Sequence, residues 1–292
     1  MTFNSEGSIA LLNSAKRNRA RMNEIHQEYR SEHKVHSFLK RDDKSISLFL
    51  QATAPYPSEM TTEFYGWANT LRASLDNLFY EIAIFDTGQN PPTAAGNRQF
   101  PIFDSEEKFK TAKCLKGLHP WSVNALQTCQ PFNSETGKIG HALYWLNELA
   151  RTSRHRKLYE VLLAIEQLEI TIPEEVAMHT SRDQIELSDR EFSFISSGTP
   201  LRIAKIHLNS SLSPNSSTGF DIKCEIAYEV PDWKRNVYPS YRWRLADRMD
   251  SLEEMVDKLI QLFDNHIMKR TEFASKISYI DGQWVRDNPR NN

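Results

Sequence analysis

The residues with the most chemical potential lie in HALYWLNELARTSRHRKLYEVLLAIEQL, residues 141–168. On a wheel of about 100° per residue, Leu143, Leu146, Ala150, Leu158, Val161, Ile165 and Leu168 share one stripe, the pattern of an amphipathic helix. Arg154 falls in the middle of that stripe, Asn147 lies inside it, and Arg151 and His155 stand i, i+4 along one edge. A guanidinium directed at a core needs a carboxylate or several carbonyls, because an unpaired buried charge costs several kcal/mol. A second helical stripe, in residues 62–85, carries Arg72 and Asp76 at the same i, i+4 spacing, with Asn77 next to them. If the two helices are antiparallel neighbours, Asp76 orients His155 or neutralises Arg154. The set, with Arg156 on the same turn as a further binding candidate, reads either as a structural polar network or as a functional site.

Other clusters carry less. In DWKRNVYPSYRWRL, residues 232–245, the aromatics Trp233, Tyr238, Tyr241 and Trp243 interleave with Lys234, Arg235, Arg242 and Arg244. That composition suits single-stranded nucleic acid, where rings stack bases and arginines hold phosphates. The simpler reading is an edge strand with Tyr241, Trp243 and Leu245 facing inward. The basic run KRNRAR, residues 16–21, reads as a solvated helix face. His33 and His36 stand three apart but no acidic or cysteine partner completes a ligand set, so no metal and no cofactor are expected. The sequence contains no GxSxG elbow, P-loop or GxGxxG.

The elements that must position these residues follow from periodicity. Leu11, Ala15, Met22, Ile25 and Tyr29 predict a helix over residues 5–31. Ile46, Leu48 and Leu50 alternate as a half-buried strand, Ser45 to Thr53. Phe64, Trp67, Leu71, Leu75, Leu78 and Ile82 predict a core helix, about 62–85, and a second long helix is expected at about 138–167. Two short helices are expected between them, around Ser105 to Leu115 and Trp121 to Thr128. After Pro173 the period becomes two: Ile185 and Leu187, Phe192 and Phe194, Leu201 and Ile203, then Phe220 to Val230. A last helix is expected from Asp250 or Ser251, with Glu253 or Glu254 closing a capping box. The expected class is α+β: residues 1–170 mainly helical with one strand near 45–53, and residues 171–292 an antiparallel sheet with a C-terminal helix, packed as one compact unit.

Composition bounds the rest. The chain has 292 residues, 36 Lys and Arg against 38 Asp and Glu, and 39% hydrophobic residues. Full-length disorder is excluded, and a near-neutral charge argues against a dedicated duplex binder. Three scattered cysteines and no apolar run of membrane-spanning length predict a cytoplasmic protein with no membrane partner.

The motifs LRASLDNLFYEIA (71–83), RQFPIF (98–103), LQTCQPF (126–132) and LNELARTSRHRKLY (146–159) resemble a widespread set of uncharacterised bacterial proteins. Their usual form reads LRSALDHL, QFPIF, QPY and DKHR; Ser153 and Arg154 stand where that pattern has DK. The two long helices also resemble HEPN domains, helical modules found in RNA-cleaving toxins and phage defence. Here Arg151 and His155 have three residues between them, closer than the HEPN pattern. The resemblance implies RNA binding or metal-free RNA cleavage in stress or defence. His155 would then act as general acid or base, Arg151 or Arg154 would stabilise the phosphorane charge, and a homodimer would share the site. The alternative from another class is a noncatalytic binding protein in which the Arg154, Asn147 and Asp76 network is structural or holds a small anionic ligand.

Overall fold

The computed structural model describes residues 2–135, 137–155, 158–188, 193–212, 219–236, 244–275, 277–280 and 283–286; residues 153–155, 235, 268, 270–275, 277–280 and 283–286 are described in backbone only. The chain is an α+β protein, as its periodicity predicts. In order it runs α1 (Glu6–Glu32), β1 (Val35–Arg41), β2 (Ser45–Ala52), α2 (Glu59–Thr87), α3 (Glu106–Lys110), α4 (Pro120–Thr128) and α5 (Ala142–His155). It continues through β3 (Leu162–Thr171), α6 (Glu174–Ala177), β4 (Ile185–Leu187), β5 (Phe194–Ile195), β6 (Leu201–His207) and β7 (Asp221–Glu229). The last elements are α7 (Pro231–Asn236), α8 (Leu245–Ser275), β8 (Ile277–Ile280) and β9 (Gln283–Arg286).

Two compact units are interleaved in the sequence: Met1–Arg17, Gly66–Arg154 and Met249–Asn292 form one, and Asn18–Tyr65 and His155–Arg248 the other. α1, α2 and α8 each contribute residues to both units. The first unit is mainly helical, with the antiparallel pair β8-β9 as its sheet among the described residues. Trp67, Leu71, Leu75, Leu78, Phe79 and Ile82 of α2 are fully buried, so the stripe read from the sequence is its core face. α1 comes close to α2 at Gly7, where an added Cβ would sit 2.7 Å from the Asn77 side-chain oxygen. Ser74 Oγ donates to the Ser8 carbonyl at that crossing (2.7 Å).

The second unit holds two antiparallel sheets, ordered β1-β2-β6-β4 and β5-β3-β7. Ile46, Leu48 and Leu50 from the first sheet share one core with Leu163, Ile165 and Leu168 from the second. Burial of this kind, at about 25 cal/mol per Å² of apolar surface, is what holds the sheets face to face.

Two expectations need correction. The helix expected at 138–167 ends at His155, and residues 162–171 are strand β3. The cause is a register shift between Ile165 and Gln167 in the pairing with β7. An extra residue at a bulge turns the alternation of 163 and 165 into 168 and 170, so that Val161, Ile165 and Leu168 imitate spacings of four and three. Leu158, placed on the supposed stripe, is 49% exposed. The last helix begins at Leu245, not at Asp250, because Asp247 accepts from the Arg244 backbone N–H (3.3 Å) and closes the first turn. Glu253 is consequently buried inside the helix run, where it accepts from Trp67 Nε1 (2.9 Å). Strand β1 had no alternation to find, since it is an edge strand and mostly exposed.

Candidate functional site

The sequence-predicted polar residues of α2 serve the backbone of the chain itself. Arg72, 5% exposed, donates from Nη1 to Asp76 Oδ1 and from Nη2 to the Phe100 carbonyl (2.8 Å). The same Asp76 oxygen accepts the Phe100 N–H (2.8 Å). Gln130, fully buried, donates to the carbonyls of Pro101 and Leu126 (2.9 Å each) and accepts the Phe103 N–H (2.9 Å). The segment 98–103 belongs to no helix or strand, and Pro101 has no N–H, so side chains supply the pairing that a ladder would otherwise give. Arg98 does the same one step earlier, donating to the carbonyls of Thr93 (3.0 Å), Cys114 and Lys116 (2.8 Å). Burial lowers its pKa, and carbonyl dipoles carry its charge. Phe100, anchored in this way, packs edge-on against Phe79 of α2.

The residues of the 146–159 motif fare differently. Asn147 is half-buried on α5. Arg151 lies on the exposed side and grips Glu148 with both Nε (3.2 Å) and Nη2 (2.6 Å), a surface ion pair of small net value. The side chains of Arg154 and His155, and all of Arg156, lie outside the described residues. Asp76 is engaged by Arg72 and Phe100 through Oδ1.

In the 232–245 cluster Trp233 and Leu245 are buried, whereas Arg244 is exposed. Trp233 is 1% exposed, set against Phe64 and under the guanidinium of Arg248 (4.6 Å to the ring centroid). It is not a platform for bases. Tyr238, Tyr241, Arg242 and Trp243 lie outside the described residues, as does the Arg235 side chain, and Leu245 opens α8. Arg244 pairs with Glu166. Beneath, Arg248 is 2% exposed and donates from Nη2 to the buried carboxylate of Glu229, which also accepts the Val230 N–H (2.8 Å).

Sequence reasoning missed a groove in the sheet-bearing unit, with a volume of about 300 Å³. It opens between β1 and β7, each of which pairs on one flank only among the described residues. Leu50, Leu163, Ile222 and Ile226 form its apolar lining, inward positions of both sheets, and Cys224 stands among them. Arg30, in the last turn of α1, and His33 and Lys34, just past its end, line it from one side. Burial pushes the Cys224 thiol up to about 11, so it is protonated and a poor nucleophile near neutral pH. The signal available in the sequence was the inward alternation of β7, which runs through Ile222, Cys224 and Ile226.

Behind the groove sits His26, 5% exposed, with Nδ1 2.9 Å from the Tyr56 hydroxyl. Burial, then the charge of Arg30, lowers its pKa to about 4, against a hydrogen bond to the Ile226 backbone. Burial also raises the Tyr56 pKa, with Tyr228 and Tyr29 adding to it, so Tyr56 is the donor to a neutral imidazole. A histidine whose folded pKa lies below its unfolded value stabilises the fold above about pH 6.5, and that stability is lost as pH falls towards 4. Urea denaturation is expected to show about 2–3 kcal/mol less stability at pH 4.5 than at pH 7.5 from this group. A His26→Gln variant should have a correspondingly flatter pH profile, and equal slopes would contradict the assignment.

Comparison with family models, with curated proteins and with solved structures finds no match. The site must be read from its own chemistry. Among the described residues no group of three or more His, Cys, Asp or Glu is placed to hold a metal ion, and no helix is long and apolar enough to cross a membrane.

Proposed function

We propose that the protein is a noncatalytic ligand-binding protein, in which the Arg72–Asp76 network is structural and the groove beside β7 is the binding site. The observation that carries this reading is the use of Arg72, Asp76 and Gln130 on the backbone of residues 100–103. A catalytic pair of this kind needs polar atoms turned towards a substrate, and these are turned towards the chain. The groove supplies what binding needs instead, an apolar concavity with a few polar groups at its edge and a volume at the small end of about 300–1,000 Å³. The competing reading is HEPN-like RNA cleavage on the 151–156 turn, possible only through His155 with Arg151 or Arg154. A metal-free RNA cleavage assay, run in chelator on wild type and His155→Ala with circular dichroism on both, separates the two. The binding reading expects intact RNA with both proteins. Cleavage by the folded wild type alone would overturn it and make His155 the general acid or base.

A further inference from the structure

We propose that the groove takes a small amphipathic anion: an aliphatic body laid on Leu163, Ile222 and Ile226, with a single carboxylate head held by Arg30 and Lys34. This rests on the binding reading above and adds the class of ligand. The lining is divided by chemistry. Its inner wall is made of inward-facing side chains of two sheets, and Leu50 and Leu163 are almost fully buried there. Ile222, Cys224 and Ile226 are half-buried, an apolar surface of the sandwich left partly open where, among the described residues, β1 and β7 do not pair.

The outer wall is cationic. Arg30 stands in the last turn of α1, and Lys34 lies two residues past the helix end, fixed by its backbone N–H to Thr53 Oγ1 (3.1 Å) and its carbonyl to the Thr53 N–H (3.0 Å). Neither Asp nor Glu is among the lining residues, and neither Arg30 nor Lys34 forms an ion pair among the described residues. The end of a helix also attracts its own cations, so both side chains have a reason to stay near the mouth. A neutral apolar ligand would leave these charges unused, and a polyanion would leave the apolar wall bare. One charge on an aliphatic chain satisfies both, with the head at the rim where two donors can reach it.

Cys224 makes the test local, since it stands in the groove while Cys114 and Cys129 belong to the other unit. The rate of maleimide labelling at Cys224, read by peptide mass spectrometry, is measured against rising decanoate and, in parallel, decanol. Decanoate is expected to protect Cys224 and not Cys114 or Cys129, and decanol to protect it about tenfold less well. Arg30→Gln with Lys34→Gln, two exposed positions, should raise the decanoate needed for half-protection by about tenfold and leave decanol unchanged. Equal protection by the two probes overturns the anionic head while leaving the groove a binding site. No protection by either overturns the ligand class and the groove together, and the binding reading with them.

Discussion

Glu229→Ala is expected to lower stability by about 3–5 kcal/mol, the largest loss for any single substitution considered. Arg248 is 2% exposed, and its Nη2 bond to Glu229 is its hydrogen bond to a carboxylate. Its Nε and Nη1 have no hydrogen-bond partner among the described residues. Burial lowers the Arg248 pKa, and Glu229 opposes that shift by charge and hydrogen bond. Removing the carboxylate would leave a guanidinium in a low-dielectric interior with only the face of Trp233 and the more distant Asp247 to answer it. Lys234, 3.9 Å from the second Glu229 oxygen, would lose its counter-charge as well. The paired substitution Glu229→Leu with Arg248→Met removes both charges and keeps volume, and should recover most of the loss. Urea denaturation of the two single variants and the double variant gives the coupling directly. A loss below about 1 kcal/mol for Glu229→Ala would show that solvent reaches the pair and that burial there is not what the geometry indicates.

Asp76→Ala is expected to cost about 3 kcal/mol, by a different route. One oxygen holds both the Arg72 guanidinium and the Phe100 N–H, so its loss leaves two donors short of a partner at once. Arg72 retains the Phe100 carbonyl, which is why the cost should stay below that at Glu229. Asp76→Asn keeps one acceptor oxygen and should lie between wild type and Asp76→Ala. Urea midpoints of the three proteins check the order.

How much of this the sequence disclosed depends on whether the relevant residues were neighbours along the chain. Trp67 to Ile82 lie on one uninterrupted stripe, so α2 was legible to within a few residues. Ile222 to Tyr228 alternate without a bulge, and β7 was legible too. Strand β3 was not, because its bulge at 165–167 converts a period of two into spacings of three and four. The pairing of Arg72 with Asp76 followed from helical spacing, but its purpose did not. That purpose is set by backbone groups at 100–103, and no periodicity relates α2 to an irregular segment more than twenty residues away. The groove was hidden for the same reason. Its lining comes from the last turn of α1 and the residues after it, and from β1, β2, β3 and β7, regions that only the pairing of the sheets brings together. The surroundings of His26 are set by Tyr56 and Tyr228, which helical spacing along α1 does not relate to it.

The central claim is that the polar residues of α2 and of the turn after α4 exist to hold residues 98–103 in place. Native-state hydrogen exchange on Asp76→Ala, resolved at the Phe100 and Phe103 amides, tests it most directly. The account predicts that the Phe100 amide loses most of its protection, that Phe103 loses less because Gln130 still accepts its N–H, and that the amides of β3 and β7 keep theirs relative to the global stability of the variant. Unchanged protection at Phe100 would contradict the account, because Asp76 would then be free for some other task than binding the chain's own backbone.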